Sequence, residues 1–330
     1  MLWVSLGRST IFFADPILPS NQNPLGALPA RFRRERLLIV GCGDVGQRVV
    51  RQLQAPGRAA PRLRVMALTS SPVRVADLRA RGITPLAGNL DHAASLRRLS
   101  GLATRVVHLA PPPGDGGEAW WRDPRTVALA RALRLRSPPA SLVYASTSGV
   151  YGDCQGALVP ETRAPAPATP RAQRRVNAER AVRHLGRSGV RASILRIPGI
   201  YAPDREGGTP EARLRKGTPV LVAEDDVYTN HIHADDLARA CLRALWQGRA
   251  QRIYNVSDHS HLKMGDYFDL AADLYGLPRP PRLPRSTAQT ELPLVLLSFM
   301  SESRLLDNGR MLHELGLRLR YPSVAEGLRA

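Results

Sequence analysis

Six residues at the end of an apolar run, Gly41-Cys42-Gly43-Asp44-Val45-Gly46, have the types and spacing to bind a dinucleotide pyrophosphate. Gly41 allows a tight turn, Gly43 lets a phosphate approach the backbone, and Gly46 permits a helix to pack closely on a sheet. The backbone amides of Cys42, Asp44 and Val45 would surround a helix N-terminus, whose partial positive charge favours anions. Leu37-Leu38-Ile39-Val40 enters the turn as a strand, and Val45, Val49, Val50 and Leu53 give the following helix a sheet-facing stripe. Glycines at this spacing also occur in turns without a ligand; the flanking strand and helix favour the binding reading.

The end of the next strand bears on which dinucleotide fits. NAD sites usually place Asp or Glu there to accept from the ribose 2′-hydroxyl. This chain has Leu68-Thr69-Ser70-Ser71-Pro72-Val73-Arg74, with no carboxylate before Asp77. Thr69, Ser70, Ser71 and Arg74 suit a 2′-phosphate, so NADP is expected in preference to NAD. The competing role for Ser70 or Ser71 is to cap a helix that starts at Pro72.

Other polar clusters point less clearly to chemistry. His231 and His233 have metal-ligand spacing but no evident third ligand, and Asp235 and Asp236 sit where carboxylates cap a helix. No metal is expected. Cys42, Cys154 and Cys241 are odd in number and widely spaced, which suggests neither zinc nor disulfides and makes the cytoplasm the expected compartment. No apolar run reaches the ~20 residues of a membrane span, so a soluble protein without a membrane partner is expected.

The net charge of +19 raises the question of a polyanionic partner. Only Lys216 and Lys263 are lysines, and the arginines are spread through every predicted helix. That spread favours a coding bias and disfavours nucleic acid. Residues 1–34, with Pro16, Pro19, Pro24 and Pro29, read as a disordered extension that fits neither a signal peptide nor a presequence; a start codon assigned upstream of the true one would explain it equally.

Strands predicted at 37–40, 63–68, 83–86, 105–109, 141–146 and 191–197 alternate with helices near 44–54, 72–81, 91–99, 124–136 and 171–187. This alternation is that of an α/β Rossmann fold with a doubly wound parallel sheet. Residues 35–200 form the expected dinucleotide-binding domain. Residues 201–330 form mainly a smaller C-terminal substrate-binding region, with 226–258 returning to the first domain. In this half helices are expected near 209–216, 233–247, 263–275 and 301–315, and a strand at 252–256.

Further segments, in order along the chain, resemble the extended short-chain dehydrogenase/reductases of the NAD-dependent epimerase/dehydratase type. Gly88-Asn89-Leu90-Asp91 resembles the third-strand segment near the adenine, with Asn89 in place of the usual Asp. Val107-His108-Leu109-Ala110, leading to Pro111, resembles the fourth-strand end beside the cofactor. Tyr144-Ala145-Ser146-Thr147-Ser148-Gly149-Val150-Tyr151-Gly152-Asp153 resembles the fifth-strand motif. Arg196-Ile197-Pro198-Gly199-Ile200-Tyr201-Ala202-Pro203 is similar to the strand six exit, which puts Pro198 against the nicotinamide. His231 to Ala238 is similar to the segment opening the helix behind the substrate loop.

The resemblance implies a carbonyl or nucleotide-sugar-like substrate and an oxidoreductase or epimerase activity. It places the substrate-orienting hydroxyl at Thr147, and the family's YxxxK pair falls on Arg171 and Arg175. Arg175 can still donate to a ribose as the lysine does. Arg171 stays charged near neutrality and cannot replace the tyrosine as a proton carrier, though it can bind an anion or polarise a carbonyl. Tyr151 is the nearest substitute phenol, although the resemblance also implies that the tyrosine at that position packs in the loop. The turn also departs from the branch's usual GxxGxxG, since Val40 stands at the first glycine. A catalytically impaired NADP(H) sensor is therefore the alternative reading. The resemblance further implies a loop at 203–208 over the cleft, whose basic groups with Arg213, Arg215 and Lys216 would either hold an anionic substrate or simply be solvated, and a homodimer seam on the helices near 124–136 and 171–187. Trp120 and Trp121, near the cleft mouth, are expected to stack a ligand ring or to pack on the sheet.

Overall fold

A computed structural model describes residues 35–55, 63–114 and 119–330, so the predicted extension over 1–34 lies outside the described residues. The sheet strands are β1 (Arg36–Val40), β2 (Arg64–Thr69), β3 (Thr84–Ala87), β4 (Arg105–His108), β5 (Ser141–Thr147), β6 (Arg191–Ile197) and β7 (Arg252–Asn255). They form one seven-stranded sheet in the order β7-β6-β5-β4-β1-β2-β3, with every neighbouring pair parallel. Helices cover both faces, so the central strands are apolar on both sides. Leu37, Leu38, Ile39 and Val40 of β1 are all completely buried.

One face is covered by α1 (Asp44–Gln54), α2 (Arg74–Ala80) and α5 (Ala234–Gln247), through Val49, Leu78, Leu237 and Cys241. The other is covered by α3 (Pro124–Arg134) and α4 (Pro170–Gly186), through Leu129, Leu133, Val182 and Leu185. Both α3 and α4 open on a strong local signal. Asp123 and Thr169 accept from the amides of Thr126 and Ala172, and Pro124 and Pro170 follow where a missing N–H costs nothing.

The strand order reverses direction between β1 and β4, and Gly41 leaves β1 at this switch point, where open α/β sheets bind ligands. After β6 the chain builds a smaller cluster around Tyr201, Leu214, Val220, Tyr267 and Phe268, the last two on α6 (Met264–Tyr275). Between these passages α5 and β7 return to the sheet.

The expected helix over 301–315 is not formed as such. Leu305–Leu306 is a short strand paired with Leu158–Val159, and helix begins only at Gly309. The pairing holds 305–306 extended, and the Asp307 carboxylate accepts from the Gly309 amide at 2.9 Å in the turn that leads into the helix. Residues 93–99 form a 3-10 helix where an ordinary helix was expected.

Candidate functional site

The glycine turn is open where a ligand would need space and closed elsewhere. Gly41 has φ +88°, and a Cβ there would lie 2.5 Å from the amide nitrogen of Ala110. Leu109 and Ala110 are fixed in that position because both amides donate to the Val40 carbonyl, at 2.7 and 3.1 Å. Gly46 is tight for a different reason: its Cβ would meet Ile39 Cγ2 at 3.3 Å, the helix–strand packing contact. A Cβ on Gly43 would have nothing within 4 Å. No side chain caps α1, so its first-turn amides, at Asp44, Val45 and Gly46, have no capping partner. A Cβ-sized space beside free amide donors fits a pyrophosphate. Of Cys42 only the backbone can take part: the side chain is buried, and burial pushes its thiol pKa up.

At the β2 end, Thr69 Oγ accepts from the Ser71 amide at 3.2 Å, forming a small turn. Helix α2 then starts at Arg74 behind Val73 with no side-chain cap, so neither Ser70 nor Ser71 takes the capping role. Arg74 reaches back and donates to the Cys42 carbonyl at 2.5 Å, which brings its guanidinium to the glycine turn. Asn89 uses its side-chain oxygen to accept from Asp91 N at 3.0 Å, shaping its own turn, while Leu90 packs against the core under α3. Pro111 is exposed and its carbonyl accepts from Arg125; Pro198 is half-buried immediately after β6.

Thr147 ends β5 with a half-buried side chain whose hydroxyl accepts from the Gly149 amide at 3.3 Å. The 3-10 turn Ser148–Tyr151 seats against the first turn of α4: a Cβ on Gly149 would lie 3.7 Å from Thr147 Oγ1 and 3.9 Å from Ala172 Cβ. The fold therefore brings Thr147 and the start of α4 together. Arg171 is exposed there and Arg175, one turn later, is buried. Arg175 donates to the Ala145 carbonyl at 2.6 Å and to the Tyr144 hydroxyl at 3.2 Å. Its charge joins burial in pushing the pKa of His108, on β4, down to about 3, and burial raises Tyr144 to about 12.

Tyr151 does not reach this corner. It is completely buried, its hydroxyl donates to Asn255 Oδ1 at 2.7 Å, and Arg196 lies 4.5 Å over its ring. That packing corrects the expectation of a catalytic phenol at this position. Beneath it, Arg196 pairs with buried Glu179 at 2.8 Å, and Glu179 also accepts from Ser146 at 2.7 Å.

The 203–208 loop also differs from expectation. Arg205 turns inward to the Ile200 carbonyl (2.9 Å) and Asp44 (3.4 Å). Arg213 packs over the Phe268 ring at 4.5 Å, and Arg215 pairs with Glu211. A feature the sequence reading missed explains the loop's attachment. Buried Arg48 binds Asp44, Asp204 (2.5 Å) and Asp235 (2.8 Å), tying α1 to the loop and to α5. Only the Asp44/Arg48 spacing of four hinted at it; the other partners are more than 150 residues away.

The histidines and following aspartates are structural. His233, not Asp235 or Asp236, caps α5 by accepting from Asp235 N at 3.2 Å, and His231 stacks on Tyr267 at 4.2 Å. Asp236 is completely buried and accepts from the amides of Arg320 and Tyr321, anchoring the C-terminal segment. Trp120 and Trp121 are exposed instead of packed on the sheet.

Residues 37–257 match the model of the NAD dependent epimerase/dehydratase family. The chain belongs to that family. Protein YeeZ of Escherichia coli is 28% identical over 191 residues, which span 58% of this chain and 61% of YeeZ. GDP-6-deoxy-D-mannose reductase of Pseudomonas aeruginosa is 27% identical over 199 residues, 52% of this chain and 64% of that enzyme. The chain thus matches less than two thirds of the length of these curated relatives. A solved structure of a functionally unknown conserved protein from Silicibacter pomeroyi is 28% identical, with a TM-score of 0.72, covering 90% of this chain and 97% of that one. Among the described residues, no helix is long and apolar enough to cross a membrane.

Proposed function

We propose that this chain is an NADP-preferring reductase or epimerase acting on a carbonyl of an anionic, nucleotide-sugar-like small molecule. The observation that carries this reading is the space at Gly43 beside uncapped α1 amides, with the Arg74 guanidinium held at the same turn. The backbone of residues 41–46 would hold the pyrophosphate, Arg74 with Ser70 the 2′-phosphate, Asn89 and Leu90 the adenine side, and Leu109, Ala110, Pro111 and Pro198 the nicotinamide side. The bound dinucleotide supplies or accepts the hydride. Similarity to a nucleotide-sugar reductase supports the substrate class.

Thr147 orients the substrate carbonyl through its hydroxyl. Arg171, exposed at the start of α4, holds an anionic group or polarises the oxygen, and Arg175 braces the end of β5. With Tyr151 sealed away, a protonatable side chain is lacking among the predicted set, so water exchanges the proton with the substrate oxygen. The split into a dinucleotide-binding part over 35–200 and a substrate-binding part over most of 201–330 belongs to the same proposal, as does a cytoplasmic location.

The test measures thermal shift with NADPH and NADH, then turnover over carbonyl and nucleotide-sugar substrates. NADPH is expected to stabilise more than NADH, with the difference lost in Arg74→Ala, and Thr147→Ala is expected to abolish turnover. Strong NADPH stabilisation without turnover on any substrate would support a sensor. No shift with either dinucleotide would refute the cofactor assignment.

A further inference from the structure

An acidic residue stands inside the glycine turn, where an anion is least welcome. Asp44 is the first residue of α1, directly after Gly43, and its own amide is one of the uncapped donors assigned to a pyrophosphate. A carboxylate in the first turn of a helix ordinarily stabilises it by facing the free amides and the positive end of the dipole. At this turn the same charge would either occupy those donors or repel phosphates seated on them.

The structure turns Asp44 the other way. Among the described residues no backbone amide donates to its side chain, and both its oxygens accept from Arg48 Nε, at 3.1 and 3.2 Å. Arg205 Nε approaches the same carboxylate at 3.4 Å from the 203–208 loop and is itself steadied by a bond from its guanidinium to the Ile200 carbonyl at 2.9 Å. A helix pair at a spacing of four is ordinarily exposed and screened. This one is not: Arg48 is only 2% exposed, and its terminal nitrogens are held by Asp235 of α5 at 2.8 Å and by Asp204 of the loop at 2.5 Å. A guanidinium buried and shared among three elements has one arrangement available, and that arrangement fixes where the Asp44 carboxylate lies.

We propose, on the reading of the Gly43 turn as the pyrophosphate site, that Arg48 is a positioning residue for dinucleotide binding. It draws the Asp44 carboxylate off the phosphate-binding amides and cancels its charge, with Arg205 as the second counter-ion. The 203–208 loop thereby gains a task distinct from substrate contact. Through Asp204 it holds Arg48, and through Arg205 it neutralises Asp44, so a displaced loop leaves an uncompensated carboxylate beside the phosphates. The seated loop and the bound dinucleotide each favour the other, as linkage requires.

The experiment titrates the full chain with NADPH, or with NADH should the parent prefer it, and reads the dissociation constant from nicotinamide fluorescence at 50 and 500 mM NaCl. Arg48→Met should weaken binding about tenfold or more at the lower salt and less than about threefold at the higher, where repulsion between separated charges is screened. Asp44→Asn alone should bind within about twofold of the parent, because its charge is already cancelled. Adding Asp44→Asn to Arg48→Met should restore binding to within about threefold of the parent, since the charge that Arg48 restrains is gone. Arg205→Met leaves the buried cluster in place and should repeat the pattern at about threefold; it decides the outcome if Arg48→Met does not fold. An arginine that only holds the fold together would weaken binding equally at both salts and with either residue at position 44. That result would overturn the role of Arg48 while leaving the phosphate site standing, whereas a parent that binds neither dinucleotide would overturn both.

Discussion

The β1–α1 turn and the β5–α4 corner are both strand-to-helix junctions at the same edge of the sheet, and they keep their ligand-binding capacity very differently. At the first, the donors are backbone amides and the decisive feature is a space, the open position beside Gly43. At the second, side chains would have to do the chemistry, and most are already engaged. Arg175 is fastened to Ala145 and Tyr144, and Tyr151 is fastened to Asn255, which leaves Thr147 and Arg171. A site built from backbone survives side-chain change so long as its glycines remain; one built from side chains is remade by two substitutions.

The largest expected effect separates two glycines of the first junction. Gly41→Ala forces a left-handed backbone and a 2.5 Å contact with Ala110, and should cost on the order of 4 kcal/mol in urea denaturation. Gly43→Ala meets nothing and should stay within about 0.5 kcal/mol of the parent, yet weaken NADPH binding at least tenfold by filling the space. A Gly43→Ala chain that binds NADPH normally would break the comparison, because the space would then not be the phosphate site.

The second junction should carry a pH dependence that the first lacks. His108 lies behind it with its pKa depressed to about 3 by burial and by Arg175, so the folded state binds fewer protons than the unfolded state between pH 3 and 6.5. The resulting stability is complete above pH 6.5 and is lost as pH falls toward 3, at up to about 1.4 kcal/mol per pH unit. Buried His231, lowered to about 4, adds in the same direction. Asp258 opposes both: burial raises it to about 7, so its contribution is present below pH 4 and is lost as pH rises through 7. Melting temperature should therefore rise from pH 4 to 6.5 and then level or dip. His108→Phe should make the acid limb shallower, and an unchanged limb would show that the corner is not as dry as its packing implies.

Much of the first junction was legible in the sequence because local rules fix it: four apolar residues, a glycine-rich turn, then a helical stripe. The helix starts at Pro124 and Pro170 were equally readable, since Asp-Pro and Thr-Pro are cap signals that act over one turn. The second junction depends on contacts between distant residues. Nothing near Tyr151 announces Asn255, and nothing near Arg48 announces Asp204. The C-terminal region failed in the same way, because a two-residue strand at 305–306 exists only by pairing with 158–159.

A smaller effect concerns what Arg175 now does. Arg175→Lys keeps the charge but gives up the fixed donor geometry toward Ala145 and Tyr144, and should cost about 1–2 kcal/mol. If the residue serves the fold, adding Arg171→Tyr restores no stability, and any gain appears only in turnover. A double variant that regains the lost stability without turnover would show the corner to be a packing unit with no remaining access to substrate.

The smallest effect tests whether Tyr151 belongs to the corner at all. Its hydroxyl supplies one donor to Asn255, whose amide nitrogen separately donates to the carbonyls of Val159 and Asp307. Tyr151→Phe removes that donor, keeps the ring beneath Arg196, and should cost about 1 kcal/mol by thermal denaturation. Turnover should be unchanged, because a completely buried phenol already committed to Asn255 cannot exchange a proton with a ligand. Thr147→Val is the matched comparison: it also deletes one hydroxyl, at the half-buried end of the neighbouring strand, and should abolish turnover at a similar cost in stability. The two variants remove the same group a few residues apart, so the difference between them measures where the cleft ends. If Tyr151→Phe instead loses turnover at full stability, the corner has a proton carrier after all and its resemblance to the glycine turn is closer than its packing shows.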